Sequence, residues 1–468
     1  MNDVNVGGTS PTIERLNKIF KAYDIRGLAP QELNFEIAEA VGYAFAVFTG
    51  CDRIVVGRDM RPTGVAIEAA FINGANRAGV SVDRIGLCST DMLYFASGHL
   101  NQPGATFTAS HNPAAYNGIK LCLAGAAPVG EETGLIEIKE TVARYLDGEI
   151  SFGESPSNVE NRDLELLDKF ADHVRSFVDI EALKPLKVIA DTANGMGGYV
   201  APRVFAGLPF DITILFPELD GNFPNHPADP IQPENLQDLK SAVLASGADV
   251  GLAFDGDADR VFLVDNNAAP LSGSLTTSLV AKAMLERSPN SIILHNLICS
   301  KAVPEIIREN GGTPIVTRVG HSFIKAVMAE EGALFGGEHS GHYYFRDNFR
   351  ADSGIIAALI ILEQISKAGK PLSEIRKPFE RYSASGEVNT RVTNALNVIA
   401  FIKNAYDGRA KMSEMDGLTV DFGEWWFNVR PSNTEPLLRL NLEAKSPEEV
   451  ANKLAEVVAV ISKAESKG

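Results

Sequence analysis

ADVGLAFDGDADRVFLVD, residues 248–265, decides how this chain is read. It opens and closes on apolar residues and places Asp255, Asp257 and Asp259 in the short stretch between them. Such flanks predict two buried strands joined by a tight loop. Carboxylates that alternate with small residues can converge on one hard cation. Oxygen-only ligation suits Mg²⁺, which keeps its remaining positions for water or phosphate oxygens. Arg260 adds a planar guanidinium fork beside them. The stretch is not an EF-hand, because its sixth position would hold Arg260 rather than Gly and its twelfth Asn266 rather than Glu.

Outward from this loop, short β-branched runs alternate with amphipathic helical stretches. RIVVGRD (53–59), LKVIADT (186–192), SIILHN (291–296) and TPIVTRVG (313–320) read as further buried strands. Helices are expected at 63–78, 199–206, 234–246, 301–310 and 321–331. Strands separated by single helices predict α/β layers with function at strand ends. A helix–Gly–strand signal recurs in RAGVSVDRIG (77–86), FAGLPFDITIL (205–215) and ENGGTPIVTRVG (309–320). It fits repeated units, although such punctuation is common to α/β proteins generally. After the basic joint KAGKPLSEIRKPFERY (367–382), strand-like SGEVNTRV (385–392), GLTVDFGEWWFNVRPS (417–432) and PLLRLNLEAKS (436–446) alternate with helices near 395–406 and 447–464. That pattern predicts a small antiparallel α+β domain. Ser446-Pro447-Glu448-Glu449 supplies the N-cap, first-turn proline and acids of its last helix.

Length and composition bound the function. At 468 residues the chain exceeds one core, so three or four domains are expected. Its formal charge of −17 argues against nucleic acid or an anionic membrane as partner. No run approaches the 18 apolar residues of a membrane span, and no secretory signal is evident, so a cytoplasmic protein is expected. Cys51, Cys88, Cys122 and Cys299 are widely spaced, without CxxC pairs, and read as reduced core thiols. An anionic substrate would need cations gathered locally, and the motifs do gather them.

Three further stretches carry chemistry. In ATFTASHNPAAYNGIKL (105–121), Ser110 follows an apolar segment with His111 beside it, and Lys120 returns after an Asn117-Gly118 turn. A serine so placed suits a nucleophile or phosphate carrier, or else a plain Ser turn. In ALFGGEHSGHYYF (333–345), Glu338 and Ser340 can grip adjacent sugar hydroxyls, and His342 suits an acid/base or a structural role. In FNVRPSNTEPLLRL (427–440), Arg430, Ser432, Asn433 and Thr434 form an anion cradle or an ordinary Pro turn. Smaller pieces are Tyr23 and Arg26 in FKAYDIRG, Arg58 and Arg61 in GRDMRPTG at a strand end that suits a phosphate or else a surface salt bridge, and His321 with Lys325 in RVGHSFIK.

TASHNP, DGDADR, GEHSGH and RPSNTEP, in that order and with KAYDIRG before them, span nearly the whole chain. Together they resemble the α-D-phosphohexomutase family, in its phosphomannomutase/phosphoglucomutase branch. The resemblance implies a heart-shaped fold of three similar α/β domains and a C-terminal α+β domain around a central cleft. The expected boundaries are 1–155, 156–268, 269–376 and 377–468. It implies that Ser110 is a phosphoserine and that Asp255, Asp257 and Asp259 hold Mg²⁺ with it. Arg260 and Lys120 then flank the transferring group. Glu338 and Ser340 read sugar hydroxyls, and Arg430, Ser432, Asn433 and Thr434 bind the distal phosphate. Tyr23, Arg26, His111, His321 and His342 are further cleft residues.

The implied reaction interconverts hexose 1- and 6-phosphates through a hexose 1,6-bisphosphate, which also serves as activator. His339 stands where glucose-restricted members carry a second acid, so mannose phosphates are the expected substrates with glucose phosphates second. Lys301 looks displaced from the lysine that family members often carry near the third domain's ligand loop. A monomer or weak homodimer working on small-molecule sugar phosphates is expected. The rivals are a phosphoglucosamine mutase, a haloacid-dehalogenase-type phosphatase with Asp255 as nucleophile, and a non-catalytic sugar-phosphate sensor. The phosphatase leaves SHNP, GEHSGH and RPSNTEP without a role.

Overall fold

The computed structural model describes residues 10–150, 159–431 and 437–466. The chain packs as two compact units, Met1–Leu271 with Ser340–Ser373, and Ser272–His339 with Glu374–Gly468.

The first unit holds two sheets. In one, Arg53–Arg58 lies parallel to Ser81–Leu87 on one side and to Gly104–Phe107 on the other. Tyr116–Leu123 runs antiparallel to Gly104–Phe107, and Ile25–Leu28 antiparallel to Tyr116–Leu123. Alternating apolar residues on these strands bury against the helices Phe35–Thr49, Gly64–Arg77 and Leu135–Leu146. Phe71 sits in this core edge-on to Phe107, with ring centroids 5.3 Å apart.

In the other sheet, Leu186–Asp191 lies between Phe210–Leu215 and Val250–Phe254, all parallel. Val261–Asp265 then returns antiparallel to Val250–Phe254. Both strands flanking the aspartate loop are buried at every position, as the apolar runs predict. The helix Gly354–Ala368 carries Ile355–Leu362 at no more than 1% exposure. A helix that is apolar all round belongs inside a protein, and this one does.

In the second unit, Ile292–Asn296 pairs in parallel with Thr313–Thr317 and with Phe335–Gly337. A separate antiparallel sheet is ordered Ser383–Arg391, Leu437–Ala444, Trp426–Pro431, Leu418–Asp421, Lys411–Ser413. The helices Ala395–Tyr406 and Pro447–Glu465 pack on it. Ser446 caps the last helix through the backbone N–H of Glu449 at 3.2 Å.

The repeated helix–Gly–strand signal has a common geometry. Gly79, Gly207 and Gly311 take φ of 85°, 79° and 78°, a left-handed turn that glycine enters without a Cβ penalty. The expected Asn117-Gly118 turn is absent. Both residues sit in the strand Tyr116–Leu123, paired with Gly27 and Arg26. The reversal comes earlier, at Pro113, whose carbonyl accepts from Tyr116 N–H at 3.0 Å. Pro113 fixes the bend, so the downstream Asn-Gly pair is free to join the sheet.

Candidate active site

The first unit brings two strand-end loops together. Thr108–Ala115 follows the strand Gly104–Phe107, and Asp255–Arg260 follows Val250–Phe254. Their approach depends on Gly256, where a Cβ would lie 2.4 Å from the Ser110 carbonyl oxygen. Any side chain there would push the serine off the aspartates.

Ser110 is buried, at 5% exposure, and takes φ of 50°. Left-handed backbone at a non-glycine residue is strained and persists only where its surroundings enforce it. Its hydroxyl donates to Asp255 Oδ2 at 2.8 Å and lies 3.3 Å from His111 Nδ1. Arg260 donates from Nε to Asp255 Oδ2 at 2.8 Å, and from Nη2 to His111 Nδ1 at 2.6 Å. Lys120 Nζ bridges Asp257 at 2.7 Å and Asp259 at 2.8 Å. Arg26 reaches the same serine loop, donating to Asn112 Oδ1 at 2.6 Å and to the Ala109 carbonyl at 3.3 Å. Tyr23 is half-buried in the turn that leads to Arg26.

The carboxylates of Asp255, Asp257 and Asp259 each offer an oxygen within 4.8 Å of the others. Asp257 Oδ1 and Asp259 Oδ1 are buried and accept no hydrogen bond among the described residues. Buried carboxylate oxygens left over after Lys120 and Arg260 are served have the chemistry that a small divalent cation fits. Titration tells the same story. Burial pushes Asp255 up to about 7 against the pull of Arg260, with the charges of Asp257 and Asp259 adding to the rise. Burial also acts to raise Asp257, but Lys120 outweighs it and holds that carboxyl well below the usual range. Burial, then Arg260, depresses His111 strongly.

His342 Nδ1 donates to Asp352 Oδ2, 2.8 Å away, and lies 3.9 Å from Asp259 Oδ1. Burial lowers its affinity for a proton, but Asp259 and Asp352 more than compensate, so its pKa is raised. Ser340 is half-buried at the start of the same segment.

In the second unit, Glu338 ends the strand Phe335–Gly337 at 2% exposure. Its Oε2 accepts from Asn296 Nδ2 at 3.0 Å and from Gly320 N–H at 3.2 Å. Gly320 immediately precedes His321, the first residue of the helix His321–Glu331, with Lys325 buried one turn on. Asn296 Nδ2 also lies 3.1 Å from His339 Nδ1. Arg430 closes the strand Trp426–Pro431 and pairs with Glu387 at 3.2 Å. Ser432, Asn433 and Thr434 lie outside the described residues. Lys301 donates to Asp421 at 2.5 Å and to the Gly423 carbonyl at 2.8 Å, so its ammonium serves the fold of this unit.

Two arginines differ from their expected phosphate-facing place. Arg58 pairs with Glu68 at 3.2 Å. Arg61 is fully buried and spends its donors on backbone carbonyls of the Ser110 loop. A strand end before a helix suggests anion binding, but nothing local reveals that a distant loop supplies the acceptors. Thr90, Asp352 and Asn296 are site neighbours that sequence reasoning missed. Thr90 donates to Asp257 Oδ2 at 2.6 Å. Its one visible signal is Ser89, an N-cap that starts the helix Thr90–Leu100.

The whole chain matches known proteins. Family models for phosphoglucomutase/phosphomannomutase match in four parts: α/β/α domain I at 17–147, domain II at 168–269, domain III at 272–382 and the C-terminal domain at 387–460. A protein of Xanthomonas campestris pv. campestris described as phosphohexose mutases is 39% identical over 431 residues, covering 91% of this chain and 95% of that one. A phosphomannomutase of Escherichia coli K12 is 37% identical over 434 residues, covering 91% and 94%. A crystal structure of a phosphoglucomutase/phosphomannomutase family protein from Burkholderia thailandensis aligns with a TM-score of 0.86 at 30% identity, covering 96% and 97%.

Proposed function

Because the chain belongs to the phosphoglucomutase/phosphomannomutase family, we propose that it is a phosphomannomutase that also accepts glucose phosphates and works through a phosphorylated Ser110. One observation carries the mechanism: the Ser110 hydroxyl is held 2.8 Å from Asp255 inside a buried cluster of three carboxylates and two cations. Lys120 and Arg260 beside the three carboxylates suit the handling of a phosphoryl group on this serine.

Phosphorylated Ser110 donates its phosphoryl group to a free hydroxyl of a hexose phosphate. The O–P bond to serine breaks, a bond to the sugar oxygen forms, and the hydroxyl proton leaves to a base. His342, oriented by Asp352, suits that base and later acid. The hexose 1,6-bisphosphate then presents its other phosphoryl group, which returns to the Ser110 oxygen. Arg260 and Lys120 offset the charge of a transferring phosphoryl group, and Arg26 fixes the loop that carries it. Asp255, Asp257, Asp259 and Ser110 would hold Mg²⁺, which supplies electrostatic stabilisation of the transferring phosphoryl oxygens when bound.

Glu338 and Ser340 are proposed to read sugar hydroxyls with His321, and Arg430 with Ser432, Asn433 and Thr434 to take the substrate's own phosphate. Tyr23 and His111 complete the proposed set. His339 supports the mannose preference, since an imidazole there does not add the second carboxylate of glucose-restricted members. The four thiols are all free, which fits a reducing cytosol. Among the described residues no helix is long and apolar enough to cross a membrane. The deciding experiment assays mannose, glucose and glucosamine 1-phosphates side by side. Conversion of mannose 1-phosphate is expected to lead; preference for the amino sugar would overturn the substrate assignment.

A further inference from the structure

One side chain outside the reacting groups, Arg61, gathers four carbonyls of the loop that carries Ser110. Arg61 is 1% exposed, and every one of its guanidinium N–H groups has a partner. Nε donates to Asp59 Oδ2 at 3.2 Å. Nη1 donates to the carbonyls of Pro113 and Tyr116, both at 2.9 Å. Nη2 donates to the carbonyls of Ser110 at 2.8 Å and Asn112 at 2.6 Å. The guanidinium carbon lies 5.2 Å from the centre of the Phe223 ring, which covers one face of the plane. Asp59 is itself fixed, its N–H donating to the Phe107 carbonyl at 3.0 Å and its Oδ1 accepting from Arg61 N–H at 2.8 Å.

A guanidinium so committed has no donor left for a phosphate. What it controls is backbone. Four carbonyls between residues 110 and 116 are pinned to one rigid plane that spans the strained residue. Thr108 Oγ1 holds the N–H of Ser110 at 3.0 Å, and Arg61 holds its carbonyl. Together they set the peptide planes on both sides of φ 50°, and so the direction of the hydroxyl. Misplacement of a reacting atom by about 1 Å can cost on the order of 100-fold in rate.

The geometry assigns Arg61 as a positioning residue that aims Ser110 for phosphoryl transfer, an assignment that rests on the phosphoserine reading above. Lysine is the discriminating replacement, because it keeps the charge but cannot span four carbonyls. In Arg61→Lys, kcat is expected to fall at least tenfold while KM for the hexose phosphate stays within twofold. The rate at which hexose 1,6-bisphosphate phosphorylates the dephospho-protein, followed by intact mass, should fall in parallel. A folded Arg61→Lys protein with wild-type kcat, or one that loses activity only through KM, overturns the assignment. Should Arg61→Lys fail to fold by circular dichroism, Asp59→Asn decides: a three- to tenfold loss in kcat at unchanged KM supports the assignment, and unchanged kcat overturns it. A wild-type protein that gains no phosphoryl mass at Ser110 overturns the phosphoserine reading, and the assignment with it.

Discussion

The Ser110 cluster and the loop that follows the strand Phe335–Gly337 differ in the partners they bring to their carboxylates. Around Ser110, three aspartates meet Lys120 and Arg260 in buried space, so each charge depends on its neighbours. Glu338 is as buried, and its partners include two neutral donors, an amide and a backbone N–H. Arg430, at 12% side-chain exposure, pairs with Glu387 at 3.2 Å. Densely compensated charge gives a preorganised field that does not reorganise during reaction. On the proposed function, Glu338 and Arg430 meet the sugar in two orientations per turnover. On that reading the Ser110 cluster is the rigid half that carries the chemistry, and Glu338 and Arg430 belong to the half that carries recognition.

The largest expected effect tests the rigid half. Ser110→Ala should lower kcat by about 1000-fold or more, because the phosphoryl carrier is lost outright. Retention of even a tenth of the activity would break the contrast. Next comes the cation. Asp257→Asn, or chelation by EDTA, should reduce kcat by about 100-fold, with Mg²⁺ restoring the chelated wild type but not the variant. Indifference to chelation would leave the aspartates as mere partners of Lys120 and Arg260.

The recognition half should answer in KM. Glu338→Gln and Arg430→Gln are each expected to raise KM by about tenfold, roughly 1.4 kcal/mol, with a smaller change in kcat. A selective collapse of kcat would place these residues in the chemistry and erase the distinction. His339→Glu adds a second acid beside Glu338. It should shift the ratio of kcat/KM values for glucose over mannose phosphates upward by about tenfold. An unchanged ratio would show that specificity lies elsewhere.

The two halves also differed in how far the sequence exposed them. The aspartate loop was legible because its carboxylates are local: Asp255, Asp257 and Asp259 lie within five residues, between strands that apolar runs announce. The α/β order, the terminal α+β segment and the Ser446 cap were legible for the same reason. Thr90, Asp352 and Arg61 were hidden or misread because their roles come from loops brought together by the fold. Arg61 meets Ser110 across 49 positions, and Thr90 meets Asp257 across 167. The Asn117-Gly118 pair misled because turn propensity is local, whereas pairing with Gly27 and Arg26 is not.

The smallest effect asks whether compensated charge in the first unit also matters for stability away from the reacting cluster. His226 Nε2 lies 3.1 Å from Asp191 Oδ2, whose side chain is 1% exposed. Burial lowers the imidazole's proton affinity, but the hydrogen bond and charge of Asp191 outweigh it, so the pKa is raised above 6.5. A raised histidine pKa contributes stability that is fully present below the unfolded value of 6.5 and is lost as pH climbs through the folded one. His226→Gln should therefore cost about 1 kcal/mol at pH 5.8, and progressively less above pH 6.5 as the wild type loses its advantage. Urea unfolding of both proteins at pH 5.8 and 8.5 measures it. A cost that grows with pH would mean that His226 is held neutral and that its contact with Asp191 is not an ion pair.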